Sequence, residues 1–128
     1  MGMDFQYAGS ASYPRFDQEL CEIAKIFNGT ESEHLKQRKE AQSKKTFGYW
    51  FGFLGSDKTE KPKFIFPKGT NEILVRWFNN VYNENFTSDE TKIIWENISK
   101  HPEIKEISNQ IWEELEILCE ENKPWRIY

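Results

Sequence analysis

The sequence predicts an α+β fold, a small antiparallel sheet with one N-terminal helix and three C-terminal helices packed on one face, in a single domain over residues 1–128. Three observations carry this reading. Apolar residues alternate with period two over residues 3–7 and 47–54, as half-buried strands do. They recur with a period near 3.6 over residues 14–27 and again from residue 71 to residue 121. The chain of 128 residues is also long enough for one hydrophobic core and short for two.

Met3, Phe5 and Tyr7 alternate with Asp4 and Gln6, which predicts a strand that Gly9, Ser10, Ala11 and Ser12 end. Pro14 suits the first turn of a helix over residues 14–27, Phe16, Leu20, Ile23, Ala24 and Phe27 form its apolar face, and Asn28 with Gly29 stops it. Residues 30–46 hold one large apolar side chain, Leu35, among Glu, Lys, Gln and Arg. A helix over His34 to Gln42 and an edge strand both fit that composition. Phe47, Tyr49, Phe51 and Phe53 alternate with Gly48, Trp50, Gly52 and Leu54, so one face of this strand is aromatic and the other is partly bare backbone. Residues 63–66 read as a short strand ended by Pro67 and Gly69, giving a hairpin with the preceding one.

From Thr70 the period changes. Ile73, Leu74, Trp77, Phe78, Val81 and Tyr82 predict a helix over about residues 71–84, with Thr70 placed to cap it. Thr87 and Glu90 have the spacing of a capping box for the next helix, which turns Ile93, Ile94 and Ile98 inward and ends at His101 and Pro102. Ile104, Ile107, Ile111, Leu115 and Leu118 make the seam of a last helix from Pro102 through residue 121, before Pro124.

Composition narrows the function. Leu, Ile, Val and Phe make up about 23% of the chain, above the roughly 20% below which chains tend to stay disordered. The longest apolar stretch, Phe47 to Gly55, falls far short of the ~20 residues that cross a bilayer, so no membrane span is expected. The N-terminus has neither the basic nor the apolar region of a secretory signal, which points to the cytoplasm. A net charge of −4 argues against direct nucleic-acid binding through clustered Lys and Arg. Ten Phe, five Trp and five Tyr exceed what a core of this size requires, which leaves aromatic surface for a partner.

Candidate catalytic groups are few. His34 lies in a polar segment, and His101 precedes Pro102 at a helix junction, where capping or solvation is the ordinary role. Cys21 and Cys119 lack C-x-x-C spacing and read as small buried hydrophobes, so no metal and no cofactor is expected. The glycines of 48, 52 and 55 fall inside a strand, where no phosphate-binding loop would place them. Carboxylate pairs such as Glu113 with Glu116 sit on a solvated helix face, a poor setting for shifted acid–base groups.

Charge is unevenly divided. Residues 31–68 hold nine basic and five acidic side chains, whereas residues 103–121 hold one basic and seven acidic. On a helical wheel with Ile104 at zero, Glu116, Glu120, Glu113 and Glu106 fall near 120°, 160°, 180° and 200°, opposite the apolar seam. Ile117, at about 220°, is the large apolar residue on this acidic side. The stripe is either an ordinary solvated face or an anionic docking surface with Ile117 as its anchor. The segment Pro124-Trp125-Arg126-Ile127-Tyr128 packs on its own domain or on a partner, and the solubility cost of exposed Trp favours the former.

The segments Phe47 to Phe53, Phe64 to Gly69 and Ser99 to Ile104, in a small, acidic, aromatic-rich chain with few catalytic groups, give it a resemblance to single-domain immunity proteins of bacterial contact-dependent growth inhibition and related polymorphic toxin systems. The resemblance covers the whole length and rests on no specific motif. It implies a cytoplasmic, non-enzymatic protein that binds a cognate C-terminal toxin domain, commonly a nuclease, and blocks its active site or substrate surface. An acidic face suits that role by imitating phosphates and steering a basic partner. The alternative is a small ligand-binding domain or enzyme with a cleft beside Trp50 and Trp77.

Overall fold

A computed structural model describes residues 2–33, 36–37 and 63–127. The predicted strand over residues 47–54, its hairpin, His34 and Trp50 lie outside them. Within the described residues the chain is α+β, with two short antiparallel ribbons and five helices.

The first ribbon pairs β1 (Gly2–Asp4) with β2 (Ser10–Ser12) in the register Met3 to Ala11. The sequence reading ended this region at Ser10 to Ser12, which is instead the returning strand. Ala11 is its one apolar side chain, so alternation had little to show there. Gly9 adopts φ +88°, which lets the loop turn back, and the Phe5 N–H donates to the Gly9 carbonyl at 2.8 Å. Met3 and Phe5 go into the core, and Tyr7 stays exposed on the loop.

Helix α1 (Tyr13–Ile26) starts at Ser12, whose hydroxyl accepts the Arg15 N–H, with Pro14 in the first turn. Its end is a Schellman motif. Asn28 takes the left-handed conformation at φ 63°, its N–H donates to Lys25, and the Gly29 N–H donates to Ala24 at 2.8 Å. Gly29 serves a different purpose from its neighbour, because a Cβ there would meet the Phe66 ring at 2.5 Å. The second ribbon pairs β3 (Thr30–Glu31) with β4 (Phe64–Ile65).

Helix α2 (Glu72–Asn80) is capped by Asn71, whose side chain accepts the Ile73 and Leu74 N–H groups. Thr70, the expected cap, donates its hydroxyl to Pro67 instead and closes the preceding turn at 2.7 Å. Helix α3 (Ser88–Ile98) has the predicted capping box: the Glu90 N–H donates to the Thr87 hydroxyl and the Thr87 N–H to the Glu90 carboxylate. The Thr87 N–H, and then the Arg76 guanidinium, hold the Glu90 carboxyl below its ordinary value of 4.5.

The expected last helix is two helices, so the described C-terminal part has four rather than three. Helix α4 (Glu103–Ile107) stops at Ser108, which is extended at φ −148° and ψ 97°. The Ser108 hydroxyl then caps α5 (Asn109–Glu121) by accepting the Ile111 N–H. Asn122, left-handed at φ 57°, closes α5 with the same pair of bonds that ends α1.

Helix α5 packs against α3 and α4, α2 against α3, and α1 against α4. Their inner faces supply Phe16, Leu20, Ile23, Leu74, Trp77, Phe78, Ile94, Ile98, Ile104, Ile111, Leu115 and Leu118, all fully buried. Trp125 completes this core. Its ring stands edge-on to Trp77 at 5.4 Å, its indole N–H donates to the Val81 carbonyl, and its backbone forms an antiparallel bridge with Phe86. The C-terminal tail therefore packs on its own domain up to Trp125 and Ile127. None of the described helices is long and apolar enough to cross a membrane.

Candidate functional site

The outward face of α5 follows from its inner one. Ile111, Glu114, Leu115 and Leu118 are buried, and the opposite arc of about 100° carries Glu113, Glu116, Ile117 and Glu120. Glu113 and Glu120 are exposed, and Glu116 and Ile117 are half-buried. Glu106 is exposed but belongs to α4, so the break at Ser108 removes it from the continuous stripe that a single helix would have given. The structure thus brings four of the five predicted residues together on one helix. Ion pairs among the described residues join Arg15 to Glu19, Arg76 to Glu84 and Glu90, and His101 to Glu103. None of them involves Glu106, Glu113, Glu116 or Glu120.

One α5 carboxylate has a structural task. Glu114 is fully buried and accepts the N–H groups of Gln6 (2.9 Å), Tyr7 (2.8 Å) and Ala8 (3.1 Å), the loop of the first ribbon. One turn earlier, the Gln110 amide donates to the Ala8 and Ser10 carbonyls and accepts from Arg15. Together they fix the ribbon to α5 across the whole length of the sequence. The angle of Glu114, beside the seam rather than opposite it, was the available signal.

Two half-buried tryptophans flank the acidic arc. Trp95 on α3 and Trp112 on α5 meet edge to face, 4.9 Å between ring centroids and 76° between planes. The composition predicts aromatic surface without placing it, and the alternative ligand-binding or enzyme reading puts a cleft beside Trp50 and Trp77. Trp77 is fully buried in the core, and Trp50 lies outside the described residues. Trp112, Glu116 and Glu120 are spaced i, i+4, i+8 and so form one ridge of α5, with Glu113, Ile117 and Glu121 on the next.

Other reactive groups are tied into the fold. The Cys21 thiol is buried and donates to the Glu31 carboxylate at 3.1 Å, and Cys119 is half-buried. The Tyr82 hydroxyl donates to buried Asp17 at 2.6 Å, and the Lys63 ammonium lies 4.3 Å from the Tyr82 ring centre. These contacts tie the turn after α2 to α1 and to the residue that precedes β4. His101 stacks edge-on to Phe27 and faces Glu103 at 3.5 Å. Among the described residues no three His, Cys, Asp or Glu side chains come together as a metal site. No protein-family model matches this chain, and neither curated proteins nor solved structures give a match.

Proposed function

We propose that this domain is a cytoplasmic, non-enzymatic immunity protein, which binds a cognate toxin domain, nuclease being the favoured class, and covers its active site or substrate surface. The observation that supports this reading is the outward face of α5, where Glu113, Glu116 and Glu120 surround half-buried Ile117 without an ion-pair partner among the described residues. Like charges spaced i, i+4, as Glu116 and Glu120 are, cost a few tenths of a kcal/mol. Carboxylates at the C-terminal end of a helix oppose its dipole by about 0.3–1 kcal/mol. Stability alone therefore disfavours the arrangement, whereas a basic partner gains from it in steering and in pairing.

The test is capture followed by neutralisation. Tagged protein is used to isolate its partner from the native host, the partner is identified by mass spectrometry, and the two are co-expressed in a naive strain. Restored growth against a captured toxin supports the reading. A partner without toxicity, or a toxin that kills equally with and without this protein, overturns it.

A further inference from the structure

We infer that the Trp95–Trp112 pair and the adjoining Glu116 form a docking site for an arginine on a basic segment of the partner protein. This rests on the proposed binding role of α5 and names the chemistry that α5 recognises. Two half-buried tryptophans, both packed against the hydrophobic core, meet at 4.9 Å between α3 and α5, and each keeps part of its surface accessible to solvent. Glu116 follows Trp112 by one turn on the same ridge, which puts their Cβ atoms about 5–6 Å apart. A guanidinium is flat and carries its N–H donors at the edge, so it can lie on an indole face while donating sideways to a carboxylate at that separation. A lysine ammonium is a compact point charge and meets one or the other.

The electrostatics of the two helices point the same way. Helix α5 contains no basic residue, and α3 contains only Lys92. Glu113 and Glu120 stand beside Glu116 on the outward arc, and none of the three pairs with a cation among the described residues. A purely apolar occupant would cover these carboxylates without compensating them, which is unfavourable. A basic segment covers the indoles and pairs the carboxylates at once.

Hexa-arginine and hexa-lysine peptides are suitable probes, read by the indole ¹⁵N–¹H signals of the intact protein. Buried Trp77 and Trp125 serve as internal references. Hexa-arginine is expected to move the Trp95 and Trp112 signals saturably and leave those of Trp77 and Trp125 in place, with hexa-lysine several-fold weaker. Glu116→Gln, a change on a half-exposed side chain, should weaken hexa-arginine binding by about threefold to tenfold, and Trp112→Leu by a similar factor. Equal binding of the two peptides, an unchanged affinity in Glu116→Gln, or movement that spreads to all indoles overturns the inference. So does concentration-dependent movement without peptide, which would assign the face to a second copy of the chain. Neutralisation is decided separately: a neutralised toxin with silent indoles defeats this inference alone, and responsive indoles with no neutralised toxin defeat the functional proposal alone.

Discussion

Glu114 satisfies three backbone donors from a single buried carboxylate, and its removal leaves all three without that acceptor at a part-buried site. Glu114→Ala should therefore lower unfolding stability by about 2–4 kcal/mol, and Glu114→Gln by less, because the amide keeps one acceptor. Urea titration followed by circular dichroism measures both. At Ile117 the expectation is the reverse. Full burial of such a side chain is worth roughly 1.5–3 kcal/mol, and about half of that remains available on a side chain that its own domain half covers. If the proposed function holds, Ile117→Ala should weaken binding of the partner by about fivefold while shifting stability by less than about 1 kcal/mol; unaltered affinity with a large drop in melting temperature would assign Ile117 to the fold. The two residues also show what the chain discloses by itself. Wheel angle separates Ile117 from the seam, and Glu114, which the sequence reading leaves unmentioned, falls at the flank of that seam; the angle does not register what lies above a helix. The loop that clasps Glu114 is 106 residues or more away in sequence, and no local pattern announces it.

At the scale of elements, the α3 N-terminus combines three contributions: the Thr87 cap, the Glu90 return bond and the Arg76 guanidinium, which also pairs with Glu84 at 3.1 Å and lies 4.8 Å over the Phe86 ring. Because the folded state lowers the Glu90 pKa, the unfolded chain binds this proton at higher pH. The stabilisation is therefore complete above the ordinary value of 4.5 and disappears as pH falls through the lower, folded value. Glu90→Gln should lose stability at pH 7 and show a shallower decline between pH 5 and pH 3 than the parent, measured as melting temperature against pH; parallel curves would exclude the linkage. For α5, the double change Glu113→Lys with Glu116→Lys should slow association with the proposed partner at low salt far more than it speeds dissociation, since exposed charges act within about 8 Å at physiological ionic strength. Stopped-flow rates that are equal at low and high salt would reduce the stripe to solvated surface. Helices α1, α2 and α3 were legible because their apolar residues keep one phase, although α2 is capped by Asn71 and not by the expected Thr70. The Ser108 break was not, because Ile104, Ile107 and Ile111 fit an unbroken helix equally well. The available hint was Ser108 three residues before Ile111, the spacing of a second cap.

Across the whole molecule, the core closes through contacts between distant parts of the chain. Trp125 meets Phe5 at 6.0 Å and Trp77 at 5.4 Å, and its backbone pairs with Phe86. Trp125→Ala removes that ring and the indole bond to Val81, and should cost about 3–5 kcal/mol, a large share of the 5–15 kcal/mol typical of a domain. Calorimetry or urea titration tests it, and a loss below about 1 kcal/mol would mean that the tail is dispensable. The α+β class was readable from the helical periodicity together with the strands read near β1 and β4, and the seat of the tail was favoured by the cost of exposing Trp. The joining of first ribbon to last helix was not readable, because it depends on pairings across the sequence. This closure also sets the order of events during synthesis. A ribosome that has translated α1 to α4 has produced a chain whose Phe5, Trp77 and Phe86 still await Trp125, so apolar surface that the fold buries stays uncovered until residue 125 emerges. If the proposed function holds, partner binding by a newly made chain should begin only once Trp125 has docked against Phe5, Trp77 and Phe86.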